Sequence, residues 1–172
     1  IQMGITTKGI VRRTEAAEAI ENMGVEPIII KNFDKGAFTQ AFEGCDGILH
    51  FIGIANERYG TFQEVNVMST RLVLESAYES RVPRFVVPSG LGVDQYGKKP
   101  WATNGYFASK RQIEQMCRSS SVPYVIFRPS YILGPGDELL PNLVNNILQG
   151  TILVAGKGDT PMQPIFVEDA AT

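Results

Sequence analysis

The residues with the clearest capacity for chemistry are a tyrosine and a lysine four positions apart. Tyr106 and Lys110 lie where a loop leads into a segment of helical period. Residues four apart share one face of a helix, so the ammonium group lies one turn from the phenol. A phenol with a pKa near 10 is a poor acid or base at neutral pH, and a neighbouring cation favours its phenolate. The spacing predicts a proton-exchanging tyrosine, although a tyrosine packed at the start of a surface helix has the same spacing.

Two predicted strands flank this helix and position it. One strand ends at Ser89 before the helix, and the next ends at Arg128 and Pro129 after it. Ligands bind to open parallel sheets in the crevice outside the carboxyl ends of the strands. We therefore expect Ser89, Tyr106 and the Arg128-Pro129 pair to converge on one crevice.

Along the whole chain, short β-type runs alternate with longer segments of helical period. This is the pattern of parallel strands joined by right-handed crossovers. The predicted strands are 9–11, 27–30, 47–51, 84–87, 124–127, 152–154 and 165–167, and the predicted helices are 14–23, 35–42, 62–80, 105–119 and 141–149. The sequence predicts an α/β fold with a doubly wound, Rossmann-like parallel sheet. At 172 residues we expect a single domain over residues 1–172.

Composition narrows the classes of partner. With 16 basic and 18 acidic residues the net charge is −2, which gives no electrostatic footprint for nucleic acid or an anionic membrane. Cys45 and Cys117 lie far apart and His50 is the only histidine, so no metal site is predicted. No apolar run approaches the length of a membrane span, and no signal peptide is recognisable. We expect a cytoplasmic protein that binds small molecules.

One element of a doubly wound nucleotide site is missing from the sequence. Such a site needs a first strand that feeds a glycine-rich turn, because glycine lets backbone amides approach a pyrophosphate. Neither G-x-G-x-x-G nor G-x-x-G-x-x-G occurs here. We therefore expect a fragment truncated at its N-terminus that lacks the first strand and the glycine-rich loop.

The motifs together resemble the short-chain dehydrogenase/reductase superfamily, in its extended or atypical, NAD-dependent epimerase/dehydratase-like branch. The resemblance extends over nearly the whole chain. It includes Gly9 to Arg13, Ala41 to His50, Val65 to Val67, Ser89 to Gly92, Tyr106 to Lys110, Phe127 to Ser130, Gly134 to Asp137 and Pro164 to Asp169. It implies hydride transfer to or from a nicotinamide cofactor, by an oxidoreductase or an epimerase-type enzyme.

The resemblance also implies catalytic roles. Tyr106 would be the acid–base residue, Lys110 its pKa-lowering partner and a ribose ligand, and Asn66 a supporting position on the preceding helix. The serine or threonine that usually orients the substrate corresponds to either Ser89 or Gly90. If Gly90 occupies that position, the orienting hydroxyl is lost. The alternative is then a non-catalytic NAD(P)-binding redox sensor or accessory subunit of the same fold.

For the cofactor, the resemblance favours NADP over NAD. Arg12 and Arg13 end the first predicted strand, where NAD-selective members usually carry an acid, and guanidinium groups suit a 2′-phosphate. Two solvated arginines are the simpler alternative. Asn32, after the next strand, is a candidate to bond the base edge. The predicted cofactor contacts are Arg12, Arg13, Asn32, Ile52, Gly53, Lys110 and Pro129.

The remaining expectations concern substrate and assembly. By resemblance, residues 131–172 contribute to a small substrate-binding subregion, and Trp101 and Tyr131 are candidates to line its pocket, or simply to pack against neighbours. His50 lies in an apolar run and is interpreted as a core residue. The helices predicted over 62–80 and 105–119 are the pair that many family members use to dimerise, so a homodimer is expected.

Overall fold

The computed structural model describes residues 4–96, 98, 103–150, 152, 154, 157–159 and 161–172. Trp101 and the middle of the strand predicted over 152–154 lie outside these residues. The strands are β1 Lys8–Val11, β2 Glu26–Ile29, β3 Ile48–Leu49, β4 Phe85–Pro88, β5 Tyr124–Phe127, β6 Ile132–Leu133 and β7 Ile165–Phe166. The helices are α1 Thr14–Glu21, α2 Lys35–Phe42, α3 Ser69–Glu79, α4 Gly105–Ser119, α5 Leu139–Leu148 and α6 Val167–Ala171.

All of these strands pair in parallel. β1 pairs with β2, β3 and β5 flank β4, and β6 pairs with β7. Parallel strands alternating with helices form the predicted α/β, Rossmann-like architecture, which is confirmed. These pairings form three separate sheets of two, three and two strands, so the described strands do not form one continuous sheet.

Capping residues fix where several helices begin. The side chains of Asp34 and Asn104 accept hydrogen bonds from backbone amides in the first turns of α2 and α4, at 2.7 and 3.2 Å. Thr61 and Glu64 form a capping box ahead of α3. Each cap satisfies amides that a helix start leaves free. The cap at Asn104 thereby fixes the first turn of α4, which carries Tyr106.

The helix predicted over 62–80 has two parts. Phe62–Met68 is wound as a π-helix, and α3 continues from Ser69. A short 3₁₀ turn, Val93–Gln95, follows β4. π-Helical turns are rare and are frequent at functional sites, which draws attention to the residues in this one.

The apolar core lies between the strands and the helices α2, α3 and α4. Its most deeply buried members include Phe38, Val73, Phe85, Val87, Ile113 and Cys117. Residues 47–51, predicted to be a buried strand, instead alternate: Ile48 and His50 are buried, whereas Leu49 and Phe51 are exposed. Successive side chains of a strand point to opposite faces, so helices cover only one face of β3 among the described residues.

Residues 131–172 are packed differently. Every described residue of this segment is exposed or half-buried. β6, β7 and α6 contact one another. The apolar side chains of α5 are 40% exposed at Leu143 and 79% exposed at Leu148. Among the described residues, no helix has the length and apolar character needed to span a bilayer.

Candidate functional site

Tyr106 and Lys110 lie in the first two turns of α4. The Lys110 Nζ atom lies 5.6 Å from the centroid of the Tyr106 ring. It donates a hydrogen bond to the carbonyl of Pro88 at 3.0 Å. Pro88 is the last residue of β4, so the lysine ties α4 to the carboxyl end of the central strand. The predicted pair is therefore brought together at the sheet edge where such folds bind ligands.

Burial controls the ionisation of both groups. Lys110 is 8% exposed, and burial lowers the pKa of its ammonium group. Tyr106 is half-buried beside the rings of Phe62 and Phe107, with centroids 6.1 and 5.3 Å away, and burial raises the pKa of its phenol. The sequence predicted a lowered tyrosine pKa. The direction differs because desolvation of the charged form is the dominant influence in this arrangement.

Asn66 lies within the π-helix and is fully buried. Its amide oxygen accepts from the Ile54 backbone amide at 2.7 Å, and its amide nitrogen donates to the Ile54 carbonyl at 3.1 Å and to the Ser109 hydroxyl at 3.0 Å. The Ser109 hydroxyl donates to the Tyr106 carbonyl at 2.6 Å. Asn66 therefore holds the first turn of α4 against the loop that follows β3. Its role in catalysis stays a prediction.

His50 is joined to the same polar network through Thr70. The Thr70 hydroxyl donates its one hydrogen to the Asn66 carbonyl at 2.6 Å, so it accepts from His50 Nε2 at 2.8 Å. Burial, with a smaller contribution from the charge of Lys110, lowers the pKa of His50 to about 4. The imidazole is also 5.5 Å from the ring of Phe85, between centroids. His50 is thus a neutral, hydrogen-bonded residue of the core.

The two positions considered for an orienting hydroxyl are both enclosed. Ser89 is 6% exposed, and its hydroxyl has no partner of normal hydrogen-bond geometry, although it lies near enough to Glu114 to lower the pKa of that carboxyl. At Gly90, an added Cβ would lie 3.0 Å from Cε1 of Phe107. The Phe107 ring would therefore have to move by a few tenths of an ångström to admit a serine or threonine side chain at position 90.

Glu114 is a site residue that sequence reasoning missed. Arg128, which follows β5, donates from Nε to Glu114 Oε1 at 2.7 Å and from Nη2 to Oε2 at 2.5 Å. Arg118 donates to Oε2 at 2.9 Å. The hydrogen bonds from Arg128 are the largest cause of a Glu114 pKa lowered to about 2. The available indication was spacing, since Glu114 lies four residues after Lys110 and eight after Tyr106.

The cofactor candidates of the first two strands lie together. Arg12, Arg13 and Asn32 are exposed and follow the carboxyl ends of β1 and β2. The Nε atom of Arg12 donates to the carbonyl of Lys31 at 3.4 Å, and its guanidinium carbon lies 5.6 Å from the centroid of the Phe33 ring. The two strand ends are thus in contact, and they present positive charge to solvent.

The remaining cofactor candidates lie nearer the tyrosine–lysine pair. Ile52 and Gly53 follow β3, and a Cβ added at Gly53 would lie 3.3 Å from Oδ1 of Asn66. Pro129 follows β5, and its carbonyl accepts from the Leu91 amide at 3.0 Å. The loops after β3, β4 and β5 therefore meet at one edge. Among the described residues, no contact joins these three loops to Arg12, Arg13 or Asn32.

Residues 2–142 match the family described as NAD(P)H-binding. The chain therefore belongs to this NAD(P)H-binding family. The resemblance to short-chain dehydrogenases is confirmed at the level of this NAD(P)H-binding family, and the fold is similar to solved structures of the epimerase/dehydratase-like branch. Within the described residues, no group of three or more His, Cys, Asp and Glu side chains is placed to hold a metal ion.

Relatives and a solved structure give the comparison more detail. The chain is 30% identical over 166 residues to the 4-hydroxy-2-methyl-3-oxo-4-farnesyl-3,4-dihydroquinoline-1-oxide ketoreductase of Stigmatella aurantiaca, covering 86% of this chain and 49% of that protein. It is 27% identical over 173 residues to the 2-alkyl-3-oxoalkanoate reductase of Stenotrophomonas maltophilia, covering 88% and 52%. The chain spans about half the length of these curated relatives. Its fold is similar to a dTDP-glucose 4,6-dehydratase double mutant from Streptomyces venezuelae with NAD bound, at a TM-score of 0.72 and 22% identity, covering 96% of this chain and 61% of that one.

Proposed function

We propose that the protein is an NAD(P)-dependent oxidoreductase that reduces a ketone, with Tyr106 as the proton donor. The observation that carries this proposal is the buried ammonium of Lys110, one turn from Tyr106 and 3.0 Å from the carbonyl at the end of β4. Two relatives, similar over most of the chain, are ketone reductases by name. An epimerase-type reaction would use the same two residues, so the ketone reductase is preferred because of these relatives.

The donor groups of the chain fit a nicotinamide dinucleotide. The Lys110 ammonium suits ribose hydroxyls, and the exposed guanidinium groups of Arg12 and Arg13 suit a 2′-phosphate, which favours NADP over NAD. Asn32 would meet the base edge, and Ile52, Gly53 and Pro129 would line the nicotinamide end. Pyrophosphate contacts are not assigned, because no glycine-rich loop occurs in the sequence.

Tyr106 would transfer the proton, with support from Lys110 and Asn66. A nicotinamide cofactor held by these residues would supply the hydride that the carbonyl carbon of the substrate accepts. Negative charge that develops on the substrate oxygen is met by the Tyr106 hydroxyl, which transfers its proton to that oxygen. Lys110 stabilises the phenolate that remains, and Asn66, through Ser109, holds the turn that carries the tyrosine. The product is an alcohol.

The wider expectations belong to the same proposal. Residues 131–172 would cover the substrate, and the protein would act in the cytoplasm. A homodimer would form through α3 and α4. A groove of about 460 Å³ between α3 and the last turn of α4 is lined by Leu74, Tyr78 and Met116 among others, on the surface where this contact would form.

A cofactor titration combined with one tyrosine variant tests the proposal. NADPH and NADH are titrated by fluorescence, and reduction is assayed with a 3-oxo ester and a cyclic aryl ketone. Tyr106→Phe is expected to lower kcat by about 10²- to 10⁴-fold, since it removes general-acid catalysis, and to leave NADPH binding nearly unchanged. Tyr124→Phe, the same change at the amino end of β5, is the matched control. Equal turnover by Tyr106→Phe and the natural protein would contradict the assignment.

A second candidate function is a non-catalytic NAD(P)-binding sensor. The observation in its favour is Gly90, which has no hydroxyl and packs closely against Phe107, with 3.0 Å between an added Cβ and Cε1 of that ring. Binding of NADPH without turnover of any ketone would favour this candidate. If neither cofactor bound to the protein at its full natural length, the cofactor assignment would fail for both candidates.

A further inference from the structure

Glu114 and Arg128 connect three parts of the candidate site. The Glu114 carboxylate is almost fully buried, and Arg128 approaches it with two donors, at 2.7 and 2.5 Å. The Nη1 atom of Arg128 also lies 3.9 Å from Oδ1 of Asp94, in the 3₁₀ turn after β4. One guanidinium group thus spans α4, the end of β5 and the loop after β4.

The same helix face carries Glu114 and the proposed reacting pair. Tyr106, Lys110 and Glu114 follow one another at intervals of four residues, and side chains four apart are neighbours on a helix surface. Lys110 ties this face to β4, while Glu114 ties it to β5. A shift of Glu114 therefore moves the turns that carry both other side chains.

We propose that Glu114 and Arg128 are positioning residues, whose bidentate contact sets where α4 lies against the ends of β4 and β5 and so places Tyr106 and Lys110. This inference rests on the proposed function. A bidentate arginine–carboxylate contact fixes geometry as well as adding energy, and a lysine does not reproduce its fork. A buried ion pair is weak evidence for stability by itself, because desolvation offsets much of its attraction. The role proposed for this ion pair is to fix the position of α4.

Arg118 provides a matched control. It donates to the same Oε2 atom of Glu114, at 2.9 Å, but it lies on α4 itself, one turn further along, with its side chain 53% exposed. It therefore contacts the carboxylate without joining two elements. If the pair acts by positioning, Arg128→Lys and Arg118→Lys must have different effects, although both keep the charge.

The experiment compares these two variants in the protein at its full natural length with NADPH. Arg128→Lys is expected to lower kcat by about 10- to 100-fold, because a small displacement of reacting groups is costly, while KM and the NADPH Kd change by less than about 3-fold. Arg118→Lys should retain the natural kcat. The apparent pKa of Tyr106 is also measured with NADP⁺ bound, from tyrosinate absorbance relative to Tyr106→Phe. It should rise in Arg128→Lys alone, as Lys110 loses its placement.

The outcomes separate this inference from the function on which it rests. An unchanged kcat and tyrosine pKa in Arg128→Lys would overturn the positioning role, as would equal losses in both arginine variants accompanied by equal falls in Tm. Should Arg128→Lys fail to fold, Glu114→Gln, which keeps the shape of the side chain, replaces it. Failure of both to fold would assign the pair to stability alone. Absence of turnover in the natural protein would reject the proposed function, yet the tyrosine titration would still decide the positioning role.

Discussion

Phe85 in β4 and Phe166 in β7 are the same residue in similar local structure, yet their surroundings are opposite. Both lie in short parallel strands. Phe85 is fully buried beneath the helix layer, whereas Phe166 is 46% exposed. The contrast extends to the chain around each of them, since residues 131–172 contain no buried residue among those described. Secondary structure alone therefore does not build a core. A second layer must cover its apolar face.

The same contrast separates the polar groups. His50, Asn66, Lys110 and Glu114 are buried and hydrogen-bonded in the part of the chain before residue 130. Burial changes proton affinities and fixes side-chain geometry, which are the properties that catalysis needs. The buried, hydrogen-bonded groups of the candidate site thus belong to the packed part of the chain, before residue 130.

The largest difference between the two parts should appear in a pair of phenylalanine truncations. Phe85→Ala is expected to lower the free energy of unfolding by about 3 to 5 kcal/mol, because it leaves a cavity in a closely packed core. Phe166→Ala should cost about 1 kcal/mol or less, because much of that side chain already contacts solvent. Urea unfolding followed by circular dichroism measures both. Similar losses in the two variants would contradict the difference in packing between β4 and β7.

The free energy of unfolding should depend on pH, because His50 is buried in the packed part of the chain. The pKa of His50 is about 4 in the folded protein, below its ordinary value of 6.5, so the unfolded chain binds the proton first as pH falls. Stability is therefore full above pH 6.5 and declines down to about pH 4. The free energy of unfolding should fall by about 2 kcal/mol between pH 7 and pH 5 from this residue alone.

A histidine variant isolates that contribution. His50→Gln keeps a hydrogen-bonding side chain but does not titrate, so its unfolding free energy should vary much less over the same interval. Urea unfolding at pH 7, 6 and 5 measures both proteins. No measurement is made below pH 5, because the stabilising charge of Glu114, whose pKa is lowered to about 2, is lost at more acidic pH. If the unfolding free energies of the two proteins changed in parallel with pH, the pKa of His50 would not be lowered in the folded protein.

Local patterns were enough to predict most elements and the tyrosine–lysine pair. The bounds predicted for α2 and α4 match the structure, since capping residues and helical period are local properties. The i and i+4 spacing placed Tyr106 and Lys110 on one face. The short helix α6 was not predicted, because it has only five residues and no complete period to detect.

Features that depend on distant partners were not readable from the sequence. The π-helix coincides with the bonding of Asn66 to Ile54 and Ser109, which lie 12 and 43 residues away along the chain. The Glu114–Arg128 contact joins a helix to the residue that follows the next strand, and apart from its spacing from Lys110 nothing local distinguishes Glu114 from a surface glutamate. The direction of the Tyr106 pKa depends on burial, which spacing does not reveal.

The smallest change in the free energy of unfolding is expected for a substitution on α5. This substitution tests most directly whether residues 131–172 are exposed in solution. Leu148 is 79% exposed, so Leu148→Glu should change the free energy of unfolding by less than about 0.5 kcal/mol, as for other surface positions. Urea unfolding at two protein concentrations measures it. A loss above about 2 kcal/mol would mean that α5 is covered in solution, since only a desolvated carboxylate is that costly. If that loss also depended on protein concentration, the covering surface would come from a second molecule, and residues 131–172 would be packed by assembly rather than by their own chain.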